Sequence, residues 1–472
     1  MSKKAIVWIR DDFRLNNNHA LSYATNNYDF VSVIYIYNKE YFENVREAQR
    51  WWISKSLLNF KEDLGKYNIN LELIISDEIS FFSKMKKDDN ISVYWNKVYE
   101  PHQLKIDKKI LEIFEKKSII SKSFKGNVLN EYHKVNKEDG TPYKVYSPFW
   151  RVGERIYLED VPGKVQDIKK KKSKTDIFNS KHNPNQILPR EKWYKKFEKY
   201  WIPSEKQSEN YLNEFIKNRI LKYGVDRDYP SINGSSKLSP YIRNGQIHVS
   251  NIFDRCFKIK SKNISVKKYL NELGWREFSH SLINNFPQML KGNLRKEFDK
   301  FPWEKNKKNL KAWKEGMTGY PIVDAGMREL YETGWMHNRI RMVVGSFLVK
   351  HLRIDWKEGE KYFRNCLLDF NEANNISQWQ WVAGCGADAA PYFRIFNPIL
   401  QGEKFDKQGL YIKKWVPELE RVPSKFIHKP WEMDVKYQVA LKTRIGSDYP
   451  SPIVVHEEAR KAALNAFQSI RK

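Results

Sequence analysis

Four short β-branched runs separated by helical patterns constrain this chain more than any other feature. Residues 5–9, 30–37, 71–75 and 91–95 are apolar along nearly their whole length. A strand with one wet face alternates polar and apolar residues, whereas a near-continuous run is buried on both faces. The segments between them carry helical periodicity, most clearly 46–66. Strands alternating with helices predict a parallel sheet covered on both sides. The turn after the first run, Arg10-Asp11-Asp12-Phe13-Arg14, contains no glycine. A dinucleotide phosphate needs glycine there for close backbone approach, so the expected domain is Rossmann-like in topology only.

The alternation stops near residue 131. Pro142, Pro148, Pro162, Pro184 and Pro189, with the basic run 169–174, interrupt any period up to residue 200. This stretch reads as a connector, partly ordered by aromatics such as Phe149 and Trp150, with the lysines in a solvated loop. From about Trp201 onward long apolar-periodic segments predict helices and no strands. The expected organisation is an α/β domain over 1–130, a connector over 131–200 and an all-helical domain over 201–472.

Charge narrows the partners. The 84 Lys and Arg outnumber the 57 Asp and Glu, a formal net charge of +27. Such an excess suits a polyanion, most often nucleic acid; an AT-rich genome also inflates Lys and Asn. Codon bias of that kind does not supply the 16 Trp. Cys256, Cys366 and Cys385 are too few and too scattered for a disulfide framework or a zinc site. The apolar run at 5–9 is too short for a signal peptide, and 342–349 is bracketed by Arg341 and Lys350. Neither approaches the roughly 18 residues that span a bilayer. A monomeric, cytoplasmic protein is expected.

Three constellations in the helical half resist a purely structural reading. Gly234-Ser235-Ser236-Lys237-Leu238-Ser239-Pro240 sets hydroxyls before a helix-starting proline, which makes either an anion cradle or an ordinary N-cap. Gly334 to Met342 carries Trp335, Asn338 and Met342 at helical spacing, with Arg339 and Arg341 beside them; salt bridges at a surface helix end are the alternative. Asp369 to Trp381 is rich in Asn and ends Trp379-Gln380-Trp381, and Asp388 to Arg394 follows. Exposed indoles suit a flat π-faced partner.

These segments resemble the flavin domain of the DNA photolyase/cryptochrome family. The likeness extends to 270–278 (LNELGWREF), 318–325 (TGYPIVDA), 394–398 and 401–405, and at the N-terminus to 8–15 (WIRDDFRL). It resembles most the cyclobutane pyrimidine dimer photolyases, class I-like. The resemblance implies a bound FAD, active when reduced. Tyr223, Ser235, Ser236, Lys237, Leu238 and Ser239 would hold its phosphates and ribose, and Tyr269 stands at a variable position. Arg276, Trp335, Asn338 and Arg341 would line the pocket, with Asp369 paired to Arg341, and Phe370 and Asn371 adjacent. Asn371 replaces an acid common in the family. Asn375 would face flavin N5. Trp379, Trp356 and Trp303 match an electron-transfer chain running outward from the flavin.

The same resemblance implies a pocket for a flipped pyrimidine dimer in duplex or single-stranded DNA, since a poorly stacked lesion costs least to extrude. Trp275 and Trp381 would wall it, Glu272 would hydrogen-bond the pyrimidine edge and Met342 would pack against it. Arg227, Arg339 and Arg394 would bind flanking phosphates, with Gln401 near the rim. The implied activity is light-driven splitting of cyclobutane dimers. Enzymes for (6-4) photoproducts place two adjacent histidines where this chain has His337-Asn338. A blue-light photoreceptor of the cryptochrome type is the main alternative; the chain retains the lesion-side residues and ends soon after the helical domain. A second, antenna chromophore, methenyltetrahydrofolate or a deazaflavin, is not assignable: Tyr99-Glu100 is followed by Pro101-His102-Gln103 where folate-binding relatives have an Asn-Glu pair, while Lys291 matches a folate-contacting lysine.

Overall fold

The computed structural model describes residues 4–42, 46–160, 163, 165–259, 263–389 and 393–471. Pro162 of the connector and Ala390-Pro391-Tyr392 of the 388–394 motif lie outside the described residues.

Five parallel strands form one sheet: β1 (Lys4–Ile9), β2 (Phe30–Tyr37), β3 (Asn70–Ile75), β4 (Ile91–Asn96) and β5 (Ser121–Phe124). Their order is β3-β2-β1-β4-β5. Ala5, Val7 and Ile9 pack on one side with Val33, Tyr35, Leu57 and Phe60. Ile6 and Trp8 pack on the other with Ile34, Trp95, Ile110 and Phe114. Both faces of β1 are therefore core, which is why its sequence does not alternate. Strand β5 escaped the sequence reading because Ser-Lys-Ser-Phe is a short, polar, partly exposed edge strand.

The strand order reverses between β1 and β4, the place where open α/β sheets bind ligands. Near that place the chain's own polar side chains form a buried network. Arg10 Nη1 pairs with Asp107 Oδ1 at 2.7 Å, and its Nη2 donates to the Asn96 carbonyl at 2.9 Å. Asn96 Nδ2 donates to Asp12 Oδ2 at 2.7 Å and to Asn18 Oδ1 at 2.8 Å.

The chain divides into two compact units. One comprises Met1–Asn218, Ser236–Pro287 and Leu368–Ala373; the other comprises Arg219–Ser235, Gln288–Leu367 and Asn374–Lys472. Among the described residues no strand follows Phe124. None of their helices is long and apolar enough to cross a membrane.

Within the stretch read as a partly ordered connector, the first unit has a regular element. Residues Tyr146–Glu159 form a helix that buries Tyr146, Phe149, Trp150, Gly153 and Tyr157 on one face. Pro148 hides this helix from a pattern search, yet it lies in the first turn, where no intrahelical N–H is needed. The helix packs on Ile264–Asn285: a Cβ at Gly274 would lie 2.4 Å from the Trp150 ring. The basic run is solvated except for Lys171, which is buried and donates to the Thr25 and Tyr28 carbonyls at 2.6 and 2.5 Å.

The second unit corrects the reading of 334–342 as one helix. Pro321–Thr333 ends at Gly334, whose φ of 68° is left-handed, and the next helix starts at Asn338. Trp335 therefore sits on the link between two helices and not on a face shared with Asn338 and Met342. Thr333 Oγ1 pins that link, donating to the Trp335 carbonyl at 2.8 Å and accepting its N–H at 3.1 Å.

Candidate functional site

In the first unit, the helix Ile264–Asn285 carries Tyr269, Glu272, Trp275 and Arg276. Glu272 and Trp275 are three residues apart and so share a face. The Tyr146 ring stacks on Trp275 with centroids 3.8 Å apart and planes 9° from parallel, and its hydroxyl donates to the Asn271 carbonyl at 2.8 Å. One face of Trp275 is thus covered and its ring plane held. Burial and the nearby Glu272 carboxylate push the Tyr146 phenol above its usual range. Sequence reading missed Tyr146; the aromatic density of the connector was its only trace. Arg276 is fixed by Glu277 Oε1 at 2.9 Å and the Asn127 carbonyl at 2.6 Å. Burial lowers its pKa from the ordinary arginine value. Tyr269 is buried with its ring 4.6 Å from Phe215.

The serine turn belongs partly to this unit. Leu238 occupies the cap position before Ser239–Arg243 and makes no side-chain capping bond. Lys237 has a left-handed φ of 54°. The Leu238 N–H donates to Ser236 Oγ at 3.4 Å, and Ser239 Oγ donates to Asp369 Oδ2 at 2.7 Å. Next to Asp369, the Phe370 carbonyl accepts from Gln49 Nε2 at 2.7 Å and Arg243 Nε at 2.5 Å. Asn371 is buried.

Beside this lies a buried charge cluster. Glu100 accepts from the Tyr41 hydroxyl at 2.5 Å and from Arg243 Nη2 at 3.0 Å, and Arg46 approaches it at 3.5 Å. Arg46 and Arg243 hold its carboxyl well below the usual range against the opposing effect of burial. Gln103 accepts from Arg10 at 3.2 Å, and His102 stacks on Tyr41 at 5.3 Å. Lys291 is exposed.

In the second unit, Asn375 is buried and donates from Nδ2 to both the Glu360 carbonyl, at 3.2 Å, and Glu360 Oε1, at 3.0 Å. Both Glu360 atoms are acceptors, so the amide orientation is forced and Asn375 Oδ1 remains as an acceptor. Arg364 Nη2 anchors Glu360 Oε1 at 2.8 Å. Glu360 is a second residue that sequence reading missed, since a helical Glu four residues before an Arg reads as a surface pair.

The Trp-Gln-Trp segment closes the helix Glu372–Ala383. Gln380 is fully buried: its Oε1 accepts the Leu294 N–H at 3.0 Å, and its Nε2 donates to the Met289 and Gly292 carbonyls, each at 2.9 Å. Trp379 is 4% exposed, edge-on to Phe363 at 5.0 Å, and a Cβ at Gly359 would lie 2.2 Å from its ring. Trp356 is 2% exposed and donates to Asn293 Oδ1 at 2.9 Å. Trp303 is half-buried with its ring 4.4 Å from Phe301. Trp381 is half-buried and donates to the Asp388 carbonyl at 3.2 Å.

His337 caps the helix Asn338–Ser346, accepting the Arg339 N–H on its ring nitrogen at 3.2 Å. Burial pushes its pKa down to about 4, so the ring is neutral at physiological pH. Asn338 is exposed, Met342 is half-buried, and Arg341 Nε donates to the Met336 carbonyl at 2.8 Å. Arg339 pairs with Asp228 at 2.6 Å and lies 4.4 Å over the Phe405 ring. Arg227 lies 5.2 Å over the Tyr223 ring. Gly234 is obligatory, because a Cβ would come within 2.5 Å of the Asp226 carbonyl oxygen; the Ser235 carbonyl accepts from Arg219 at 2.8 Å. Arg394 is exposed, and Gln401 lies half-buried on Pro398–Phe405.

Known proteins resemble this chain along its whole length. The family model for the FAD binding domain of DNA photolyase matches residues 269–469, and the DNA photolyase model matches 5–166. A deoxyribodipyrimidine photo-lyase from Agrobacterium fabrum is 39% identical over 99% of this chain and 98% of its own. Cryptochrome-2 of Arabidopsis thaliana is 32% identical over 100% of this chain and 80% of its own. The crystal structure of a bacterial class III photolyase from Agrobacterium tumefaciens superposes with a TM-score of 0.93 at 37% identity, over 100% of this chain and 98% of that one. A class III enzyme thus stands among the relatives, alongside the class I-like motifs. With both domain models matched in order and full-length identity of this level, the chain belongs to the DNA photolyase/cryptochrome family.

Proposed function

We propose that the protein is a deoxyribodipyrimidine photo-lyase, which uses light and reduced FAD to split cyclobutane pyrimidine dimers in DNA. The observation that carries this reading is the buried Gln380, locked by three backbone groups between a buried Trp379 and a half-buried Trp381. One indole is kept from water and the other is left accessible, as separate duties toward a cofactor and a substrate require.

The residues present fit a flavin. With both Asn375 amide hydrogens given to Glu360, its Oδ1 is suited to accept from a protonated N5, the form that reduced flavin carries. Tyr223, Ser235, Ser236, Lys237, Leu238, Ser239, Arg276, Trp335, Asn338, Arg341, Asp369 and Asn371 are assigned to it, with Tyr269 and Phe370 as apolar support. When bound and reduced, FAD supplies the light-driven electron that opens the cyclobutane ring. The protein's residues do the rest. Trp275, its plane held by Tyr146, and Trp381 would stack on the extruded dimer. Glu272 would hydrogen-bond its edge, and Met342 would exclude water. Arg227, Arg339 and Arg394, with Gln401, would take the flanking phosphates, which position without reading sequence; Arg339 would exchange Asp228 for phosphate. Trp356 and Trp303 extend from buried to half-buried, which suits a relay that restores the reduced cofactor.

The domain assignment, 1–130 for an antenna, 131–200 as connector and 201–472 for FAD and DNA, belongs to this proposal, as does action as a cytoplasmic monomer. The compartment has its support in Cys256, Cys366 and Cys385, which are buried and joined by no disulfide, as a reducing environment requires. The test is direct: pre-reduced, FAD-loaded protein is mixed with a dimer-containing oligonucleotide and illuminated with near-ultraviolet or blue light. Loss of the dimer is expected. No loss, with the flavin still responsive to light, would favour the photoreceptor reading that the cryptochrome similarity raises.

A further inference from the structure

Lys350 is a buried cation to which the flavin and lesion assignments give no role. It lies in the π-helical turn Phe347–His351, which continues the helix Asn338–Ser346 that carries Arg339, Arg341 and Met342. Single π-turns within helices are frequent at functional sites. The side chain is 2% exposed, and burial pushes its pKa down to about 7. Among the described residues no carboxylate forms an ion pair with it. A charge buried this way costs stability unless something answers it.

What answers it is the end of the 388–394 motif and the residues just after it. The Lys350 ammonium donates to the Arg394 carbonyl at 3.0 Å and lies 3.5 Å over the Phe393 ring. One turn earlier on the same helix face, the buried Ser346 Oγ accepts the Phe396 N–H at 3.2 Å. Phe393 is further wedged against Phe467, stacked at 4.6 Å. The backbone is therefore gripped at residues 394 and 396, and the Phe393 ring is held beside them. The one long cation in that stretch, Arg394, has an exposed side chain.

We propose that Lys350 and Ser346 are positioning residues for DNA binding: they hold the backbone at residue 394 so that the Arg394 guanidinium meets a backbone phosphate without first having to order its loop. This rests on the DNA role assigned to Arg394 above. The physical gain is preorganisation, since ordering a free loop on binding subtracts from affinity. A helix with proposed contacts to cofactor and lesion would thereby also fix the height of a phosphate clamp.

The test uses FAD-loaded full-length protein and a duplex carrying one cyclobutane dimer. Affinity is measured across a salt series. Arg394→Ala should reduce the slope of log K against log salt by about 0.9, the loss of one phosphate contact. Lys350→Met should weaken binding roughly three- to tenfold and reduce the slope in the same sense. It should add nothing in the Arg394→Ala background. Lys350 is too buried to touch a phosphate, and Ser346→Ala, which removes no charge, separates an effect through the Arg394 backbone from the long-range loss of a charge. Ser346→Ala should act in the same direction, and it carries the test alone should Lys350→Met fail to fold. Lys350→Gln, which keeps a donor for the Arg394 carbonyl, should recover part of the slope. Wild-type slopes in Lys350→Met and Ser346→Ala, beside a reduced slope in Arg394→Ala, would overturn the inference. An unchanged slope in Arg394→Ala would instead overturn the DNA role of Arg394, and the inference with it.

Discussion

Trp379 and Trp381 are two residues apart, about 200° around a helix, so they leave it in nearly opposite directions. Gln380 between them is fully buried and bonded three times, which fixes the rotation of the whole turn. Two indoles with different exposures should fail differently. Trp379→Phe should abolish or strongly slow photoreduction of oxidised flavin, followed by absorbance under illumination, while damaged-DNA affinity stays within about twofold. Trp381→Ala should leave photoreduction intact and weaken dimer binding by about 1–3 kcal/mol, the worth of one stacking ring. Equal loss of both properties in either variant would reject the division of labour. Asn375 teaches a related lesson. Its identity was readable as a polar neighbour for a cofactor, but which of its atoms remains available depends on Glu360, fifteen residues earlier.

At the scale of elements, the helix starting at Asn338 depends on an unusual cap. His337 accepts a backbone N–H on its ring nitrogen, which only an unprotonated nitrogen can do. Its pKa in the folded state is about 4, below the ordinary value of 6.5. Between those values the unfolded chain binds a proton that the folded chain does not. The stabilisation is therefore complete above pH 6.5 and is lost as pH falls toward 4, on the order of 3 kcal/mol. His337→Asn, which keeps a capping oxygen without titrating, should flatten the fall in stability between pH 6.5 and 4, measured by denaturant unfolding. A fall as steep as in the parent protein would exclude His337 as its source. Elements also show where sequence patterns mislead. The β1–β4 strands were legible because burial on both faces demands continuous apolar runs. Strand β5 was not, because an edge needs no such run. The Tyr146–Glu159 helix was masked by Pro148 in its own first turn.

For the whole molecule, a net charge of +27 dominates association with a polyanion. Binding to undamaged and dimer-containing duplexes should both weaken steeply with salt, with slopes set by the number of phosphates engaged. The ratio between the two affinities should change much less, because it comes from stacking and hydrogen bonding to the extruded lesion. Titrations at several salt concentrations check this. A damage preference that vanishes as salt rises would mean that charge, and not the lesion-side rings, supplies selectivity.

The amino-acid sequence by itself determined the fold class, the family and the identity of most residues proposed to touch cofactor or lesion. Apolar period reports burial directly, and chemistry-bearing residues cluster in short motifs. Only the tertiary structure decided which groups stand behind them: Tyr146 under Trp275, Glu360 behind Asn375, and Lys350 and Ser346 under the Arg394 backbone. These partners lie up to 129 positions apart, from Tyr146 to Trp275. Taken singly, they read as an ordinary aromatic, a surface acid, a solvated lysine and a core serine. Their roles come from packing and hydrogen bonds closed in three dimensions, and a linear pattern carries no record of those.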